Sequence, residues 1–320
     1  MRVAWALPRY PTVHPAGAEW TAHELLAELA ARGHEADAII VGRHAGEYAE
    51  LAELDGVTVA PVGSHTFARP YDVVIGHLGH AEHARAIAGR SPLVWMAHAP
   101  YQYEWGRPAE PDAWLANSEH VRAAGPAGTR IMRPHVPRTR YELDGKPRGD
   151  MITLVGASAV KGVQTVRAIA RAMPERRFLV VQNAYDRQLL MPGRRDLPNI
   201  RVLPVQADMR PVYEQTRILL MPSTESFGRV ALEAGHAGIP TIAAPSEGAF
   251  ETQVAWAHLE PRDVDGWRTV IRDLDDVEGY RLAQLQAREL AADVEFRTAG
   301  DRNLTVAWLH ELAAAHPAAV

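Results

Sequence analysis

The sequence contains no cysteine. Without thiols the chain can form neither disulfide bonds nor thiolate metal sites, and this composition fits a reducing compartment. Long apolar runs are also missing, since no stretch approaches the roughly 20 residues that a membrane-spanning helix needs. The first ten residues, MRVAWALPRY, carry too short an apolar run for a signal peptide. These absences predict a cytoplasmic protein.

Signals for nucleic-acid or dinucleotide binding are equally scarce. The formal net charge is −5, so no overall positive field points to nucleic acid or to an anionic membrane. The chain has no Walker-type phosphate loop and no Gly-x-Gly-x-x-Gly fingerprint. Hydrophobic residues make up 47% and charged residues 23%, which is typical of a globular protein, and 320 residues suffice for two domains.

Short apolar runs alternate with helical patterns along most of the chain. Arg2 to Leu7 predicts a buried strand, and a segment with apolar residues at helical spacing follows it. The alternation continues and predicts parallel βαβ units. It is interrupted between Arg133 and Asp150, where a Pro- and Arg-rich segment without periodicity indicates a linker.

We therefore predict an α/β protein with two tandem Rossmann-like domains, each built on a doubly wound parallel sheet. The first covers residues 1–145 and is joined by a returning C-terminal helix at 301–320. The second covers residues 150–300. Sheets of this kind bind ligands at the carboxyl ends of their strands, so we expect the chemistry in an interdomain cleft.

The stretch from Met221 to Pro245, MPSTESFGRVALEAGHAGIPTIAAP, predicts strand, turn, helix and strand in that order. The helix should begin near Gly228, where free backbone N–H groups and the positive end of the helix dipole favour an anion. Glu233 on that helix can accept hydrogen bonds from a vicinal diol, as acidic residues do with ribose in dinucleotide folds. Glu225 precedes the helix, close to whatever the phosphate carries.

Two other interpretations of these glutamates are weaker. Glutamate is a good helix former on solvated faces, so the spacing alone indicates little. A hydrolase pair would stand about 5–10 Å apart across one bond, whereas eight residues of helix span roughly 12 Å. The spacing therefore suits two points along an extended ligand.

The ordered motifs resemble those of the retaining glycosyltransferases of the GT-B fold, the large Glu-x7-Glu family similar to glycosyltransferase family 4. ESFGRVALEA with the trailing GIPTIAAP carries the resemblance, and it is supported by AGAEWTAHELLAELAARGHE, WLANSEHVRAA and LVGASAVKG. The likeness covers nearly the whole chain. It implies transfer of a sugar from a nucleotide diphosphate sugar to an acceptor hydroxyl with retained stereochemistry.

The resemblance assigns a role to each matching residue. The catalytic group would be Glu225 beside the donor sugar, Lys161 at the diphosphate and His98 near the sugar. Glu233 would bind the ribose hydroxyls. The remaining donor-binding residues implied by the family are Ser226, Phe227, Gly228, Arg229, Ser158, Gly17 and, through its backbone at the base, Val205.

The resemblance also implies which partners are needed. The co-substrate would be a UDP- or GDP-sugar, and no metal site and no divalent metal is required, because Lys161 and backbone dipoles neutralise the diphosphate. The family often carries an arginine where this chain has Ala157 and Ser158, so one leaving-group cation is missing or comes from elsewhere. The acceptor and the oligomeric state are not indicated. A GT-B 2-epimerase, a phosphorylase and a non-catalytic nucleotide-sugar-binding protein stay open.

Clustered histidines offer a metal site as an alternative. His77, His80 and His83 are spaced three apart, and on a helix they would spread over roughly 120°, which is poor for one tetrahedral ion. HELAAAH near the C-terminus lacks the His-Glu-x-x-His spacing. We therefore interpret the three histidines as a polar helix face.

Overall fold

The computed structural model describes residues 1–48, 52–64, 69–145, 147–193, 197–252 and 254–316. The chain divides into two compact units, one formed by Met1–His135 with Thr298–Val320 and the other by Val136–Arg297. The last four residues of the predicted helix 301–320 lie outside the described part, as does residue 146 of the predicted linker. Among the helices that are described, none combines the length and apolar character that a membrane span requires.

The first unit is built on an eight-stranded sheet. Its strands in chain order are β1 (Arg2–Leu7), β2 (Glu35–Ile40), β3 (Ala52–Leu54), β4 (Val57–Pro61), β5 (Val73–His77), β6 (Leu93–Ala97), β7 (Ala113–Ala116) and β8 (Arg130–Ile131). The spatial order is β3-β4-β2-β1-β5-β6-β7-β8, and among these described strands only the β3–β4 pair is antiparallel. Strands β1, β5 and β6 are buried along their whole length, as expected of a parallel sheet covered on both faces.

Helices cover this sheet. They are α1 (Gly17–Ala31), α2 (Ala81–Ala88), α3 (Gln102–Gly106), α4 (Glu119–Ala123) and the last part of α11 (Val277–Ala315). Helix α1 ends where Gly33 adopts a φ of +80°, a conformation that glycine takes without steric cost. Leu25, Leu26 and Leu29 of α1 are buried against the sheet in the main core cluster.

The second unit contains a six-stranded parallel sheet. Its strands are β9 (Met151–Val155), β10 (Phe178–Val181), β11 (Ile200–Leu203), β12 (Thr216–Met221), β13 (Thr241–Ala243) and β14 (Ala255–His258). Their spatial order, β11-β10-β9-β12-β13-β14, is that of the doubly wound dinucleotide-binding fold. The helices are α5 (Arg138–Tyr141), α6 (Val163–Ala172), α7 (Arg210–Gln215), α8 (Arg229–His236), α9 (Glu247–Thr252), α10 (Val264–Asp273) and the first part of α11.

Two sequence-based interpretations differ from this fold. The segment interpreted as a linker contributes buried side chains, Val136 and Tyr141, to a core cluster of the second unit. The polar helix face of three histidines was wrong: His77 is the last residue of β5 and fully buried, and His83 alone of the three lies within α2.

Candidate active site

The second sheet has its topological switch point between β9 and β12, which pair with each other while their following helices continue in opposite directions. Open α/β sheets bind their ligands at this place, beyond the carboxyl ends of the strands. The loop after β9 carries Lys161, and the loop after β12 carries Glu225. The two charged residues predicted from the sequence therefore lie where an open α/β sheet binds its ligand.

Lys161 and Glu225 are in direct contact. The Lys161 Nζ lies 2.8 Å from Oε1 and 3.0 Å from Oε2 of Glu225, so the ammonium donates to both carboxylate oxygens. The Ser223 hydroxyl donates to the same Oε1 at 2.6 Å. The Glu225 side chain retains 14% of its accessible surface and that of Lys161 32%. Both groups are thus positioned but remain within reach of a ligand.

Two glycines leave room for the lysine side chain and for the loop after β12. Gly156 follows β9 with a φ of +115°, and a Cβ built on it would lie 2.5 Å from Cγ of Lys161. Gly162, with a φ of +76°, would bring a Cβ within 2.5 Å of the Pro222 carbonyl oxygen. Side chains at these positions would clash with the lysine stem or with the loop after β12, so glycine is required at both.

The turn between β12 and α8 is packed against a neighbouring helix. Gly228 precedes α8 in the left-handed region, with a φ of +85° and a ψ of 36°. At Gly248 in α9 a Cβ would lie 2.2 Å from the carbonyl carbon of Ser226 and 2.5 Å from the backbone nitrogen of Phe227. The hydroxyl of Ser246 accepts the Glu225 backbone N–H at 3.2 Å. Helix α9 therefore fixes the path of the turn.

Glu233 lies inside a buried hydrogen-bond network. Its Oε2 accepts from the Tyr213 hydroxyl at 2.9 Å, and its Oε1 accepts from the Arg229 Nε at 3.0 Å. The Arg229 guanidinium also donates to the Tyr141 hydroxyl at 3.2 Å. Burial, followed by the Glu233 carboxylate, raises the pKa of Tyr213 well above its usual value, so the phenol remains a donor. The network fixes the carboxylate and leaves its other lone pairs available.

The other predicted donor-binding residues of this unit surround the same loops. Ser158 is buried after β9 and forms an isolated bridge with Gln188. Phe227 is buried in the turn before α8, whereas Val205 is exposed beyond β11. Ser226 lies in the turn on which Gly248 packs.

Gly17 and His98 belong to the first unit. Gly17 is exposed and opens α1, in the connection that follows β1. His98 directly follows β6, and burial lowers the pKa of its imidazole to about 4. Both residues thus lie beyond the carboxyl ends of parallel strands, where this type of sheet binds ligands.

One group of side chains has the composition of a metal site. Within the described residues, His14, His44 and Glu47 form one group whose ligand atoms lie within 4.8 Å of one another. The guanidinium of Arg9 lies 3.0 Å from Nε2 of His44 and donates to it, which leaves the His44 proton on Nδ1, 2.7 Å from Glu47. A metal bound at Nδ1 would require that proton on Nε2, facing Arg9. The hydrogen bonds therefore fit an ion-pair network.

A large cavity lies elsewhere on the second unit. It has a volume of about 860 Å³ and is lined by Met151, Arg177 and Arg201 among others. Met151 begins β9, so this cavity is at the amino ends of the strands, away from the switch point. Because parallel α/β sheets bind ligands at the opposite edge, we do not assign the cavity to the active site.

The sequence interpretation missed the residues that support the site. Four residues contact a predicted site residue or its backbone, namely Tyr213, Tyr141, Ser223 and Gly248. Only Ser223 lay close enough in sequence to be suspected, since it is two residues from Glu225. Tyr213 and Tyr141 are 20 and 88 residues from their partners, so no local pattern connects them.

Solved structures share this architecture. The structure of HepE from Anabaena, in complex with UDP and glucose, superimposes with a TM-score of 0.74 at 18% identity, covering 97% of this chain and 99% of that one. Sucrose-phosphate synthase from Thermosynechococcus elongatus gives a TM-score of 0.77 at 13% identity, covering 98% and 100%. The fold is therefore that of the GT-B glycosyltransferases, as the sequence predicted.

Sequence comparison shows a partial similarity to glycosyltransferases. Residues 150–276 match the family model described as glycosyl transferases group 1. The D-inositol 3-phosphate glycosyltransferase of Corynebacterium kroppenstedtii is 30% identical over 167 residues, 46% of this chain, and the chain spans only 37% of that relative's length. The sequence of residues 150–276 is thus similar to the group 1 glycosyltransferases, and the solved structures share the fold over nearly the whole chain.

Proposed function

We propose that the protein is a retaining glycosyltransferase that moves a sugar from a nucleotide diphosphate sugar to an acceptor hydroxyl. The observation that carries this proposal is the Lys161–Glu225 pair at the switch point of the second sheet, directly before the amino end of α8. The family match of residues 150–276 supports it, as does the UDP bound to HepE.

In this proposal Lys161 exchanges its partner when the donor binds. A diphosphate beyond β9 and β12 competes with Glu225 for the ammonium, since both anions seek the same cation. Glu225 then has oxygens available for hydroxyls of the donor sugar, while Ser223 continues to orient it. The partner exchange would couple recognition of the diphosphate to recognition of the sugar.

The rate acceleration comes mainly from stabilisation of the leaving diphosphate. When the bond from the sugar to the diphosphate breaks, negative charge grows on the phosphate oxygens. Lys161 and the free backbone N–H groups at the start of α8 offer preorganised positive potential there. The acceptor hydroxyl attacks the face from which the diphosphate departs, and the departing phosphate takes its proton. No strong side-chain base is needed, and the configuration at the sugar is retained.

Glu233 is assigned to the nucleotide ribose. Its carboxylate is held by Tyr213 and Arg229, so it needs little rearrangement before it accepts from a vicinal diol. Charge-assisted hydrogen bonds of this kind contribute about 1.5–3 kcal/mol each. The diphosphate would contact backbone groups of Ser226, Phe227, Gly228 and Arg229. The remaining nucleotide would lie along Ser158 and Val205.

The test begins with the donor. A panel of nucleotide diphosphates and UDP- and GDP-sugars is added to the protein, and the melting temperature is recorded, because a ligand that binds the folded state stabilises it by mass action. UDP-glucose is the first donor to test, given the HepE complexes. Proton NMR of the product with the best donor then reports its anomeric configuration. An inverted product would overturn the retaining mechanism.

The same assay separates the rival functions. An epimerase would consume donor without acceptor and yield an isomer with free nucleotide, and a phosphorylase would require inorganic phosphate. A binding protein would show a thermal shift without any turnover. Transfer to an acceptor, or donor hydrolysis at a measurable rate, would exclude the binding protein.

A further inference from the structure

Two histidines of the first unit face each other at neighbouring strand ends. His77 is the last residue of β5, and His98 directly follows β6, the strand that pairs with β5. The Nδ1 of His77 lies 3.1 Å from the Nε2 of His98, a hydrogen-bond distance. The ring centroids are 5.3 Å apart with an interplanar angle of 64°. One proton must therefore lie between the two rings.

The backbone of His98 is fixed as well. Its N–H donates to the Gln102 Oε1 at 2.7 Å, and its carbonyl accepts from the Asn117 Nδ2 at 3.2 Å. His77 is fully buried, and the edge of its ring meets Trp5 at a centroid distance of 5.5 Å. These contacts leave the rings little freedom to change partners.

Both imidazoles are neutral at physiological pH. Burial, followed by the neighbouring His98 and His80, lowers the pKa of His77 well below its usual value. Burial lowers the pKa of His98 to about 4. A neutral imidazole carries one proton, so one ring nitrogen donates and the other accepts.

The second nitrogen of His77 decides where these protons are. Nε2 of His77 is buried and finds no hydrogen-bond partner among the described residues. If His98 donated its Nε2 proton to His77, the remaining proton of His77 would be a buried N–H without an acceptor. Orphaned buried N–H groups are rarer in proteins than unpaired acceptors. The favoured arrangement has His77 Nδ1–H donating to His98 Nε2, and His98 then carries its own proton on Nδ1.

We infer that His77 is a positioning residue that holds His98 in the Nδ1–H tautomer, so that His98 meets its ligand as a neutral hydrogen-bond donor. The ligand is an oxygen acceptor, either a sugar hydroxyl or a phosphate oxygen of the donor. This identification of the ligand rests on the proposed function, whereas the tautomer does not. A ring in this tautomer has no free lone pair for a general base, because Nε2 is engaged by His77.

The tautomer is measured directly by NMR of protein labelled with ¹⁵N-histidine. Two-bond correlations between ring nitrogens and ring protons distinguish protonated from unprotonated nitrogens, and spectra of His98→Asn and His77→Asn assign the signals. We expect His98 to carry its proton on Nδ1 at pH 6, 7 and 8. A proton on Nε2 of His98 would overturn the inference, whatever the activity of the chain.

Two substitutions separate the hydrogen bond from the packing. In His77→Asn the amide nitrogen takes the place of Nδ1, so it retains the donor and loses ring volume. In His77→Phe the ring volume stays and the donor is lost. The exposed His83 on α2 offers the matched control, His83→Asn, for replacing a histidine on the same segment.

We expect the effects to depend on the hydrogen-bond donor at position 77 and not on the volume of the side chain there. His77→Phe should release His98 into a mixture of tautomers and raise the donor KM about 2–10-fold, the effect of one ordinary hydrogen bond. His77→Asn should stay near the wild type in both measurements. If His77→Asn lost more than His77→Phe, packing would explain the effect and the positioning role would be wrong. If no nucleotide sugar is turned over, the proposed function fails and the wild-type tautomer still decides the inference.

Discussion

The ammonium of Lys161 and the carboxylate of Glu225 neutralise each other across 2.8 Å, although they are 64 residues apart in sequence. The pair exists because β9 and β12 are neighbours in the sheet and their loops meet beyond the carboxyl ends. Lys161 is one of only two lysines in a chain rich in arginine. A compact, flexible point charge is suited to changing partners in a way that a planar guanidinium is not.

Lys161→Ala should reduce turnover much more than it weakens acceptor binding. Removal of one preorganised charge contact typically costs about 10²–10³ in rate. Lys161→Arg keeps the charge and should retain part of the activity, since the fork geometry differs from that of an ammonium. Initial rates at saturating donor provide the measurement.

The control for this prediction is Arg272→Ala, which removes an exposed cation from α10 of the same unit. It should leave turnover unchanged. Wild-type kcat in Lys161→Ala at saturating donor would remove Lys161 from the mechanism.

Substitutions of the two glutamates should separate binding of the nucleotide from binding of the sugar. Glu233→Gln keeps the shape and an acceptor for Tyr213, and it loses the charge that faces the ribose. It should weaken the free nucleotide diphosphate and the full donor equally, by about 1.5–3 kcal/mol or roughly tenfold to a hundredfold. Glu225→Gln should leave the free nucleotide nearly unaffected and reduce donor affinity or turnover. Calorimetric titration with both ligands measures the difference.

Glutamine is preferable to alanine at position 233. Alanine would leave the buried Arg229 without its carboxylate, and breaking a buried ion pair costs about 3–5 kcal/mol of stability. Tyr213→Phe serves as a second control, because it removes one hydrogen bond and leaves the carboxylate charged. Equal weakening of the free nucleotide by Glu225→Gln and Glu233→Gln would contradict the division of roles.

The sequence was sufficient for those elements whose signal is local. Arg2 to Leu7 was predicted as a strand with the bounds it has, and the helix that begins after Gly228 was recognised with its glycine. The edge strands β3 and β14 have no fully buried residue, so they lack the apolar run that marks a buried strand, and the sequence analysis does not predict them. Fold class followed from the alternation, since each βαβ unit constrains the next.

Contacts between residues on different strands could not be predicted from local sequence patterns. His77 was grouped with His80 and His83 by spacing, whereas its partner in the structure is His98, 21 residues away. The buried network around Glu233 depends on Tyr141 from a segment without periodicity. Such partners become visible only when strand order is known. The domain limits, the site roles and the cytoplasmic location stay predictions.

Gly248→Ala should damage the donor site from outside it. The added methyl would meet the backbone of Ser226 and Phe227 at 2.2–2.5 Å, so helix α9 or the turn before α8 must move. Misplacement of reacting groups by about 1 Å can cost 10² in rate. We expect a large loss of kcat/KM with a folded protein, and the thermal shift produced by nucleotide diphosphate should shrink.

Gly300→Ala is the matched control. A Cβ at Gly300 would meet no atom of the described residues within 4 Å, and the residue lies in helix α11, where alanine is the better helix former. This variant should melt at or above the wild-type temperature with unchanged kinetics. Wild-type kinetics in Gly248→Ala would show that the turn tolerates the displacement.

Glu19 should make the stability of the chain depend on pH. It lies in the first turn of α1, is completely buried, and neither of its carboxylate oxygens has a partner among the described residues. Burial raises the pKa of this carboxyl to about 8, against smaller opposing effects of the Glu19 backbone N–H and, after it, of the Arg9 charge. The folded chain therefore holds a proton that the unfolded chain releases near pH 4.5.

Between those two pKa values a rising pH favours the unfolded state. The free energy of unfolding should fall by about 1.4 kcal/mol for each pH unit from 5 toward 8, and then level off. Glu19→Gln removes this slope, so the variant should match the wild type near pH 5 and exceed its stability at pH 8. Glu311→Gln, at an exposed site, should keep the wild-type slope. Urea unfolding at pH 5, 6.5 and 8 provides the comparison, and parallel pH curves for the wild type and Glu19→Gln would show that the carboxyl is ionised in the fold.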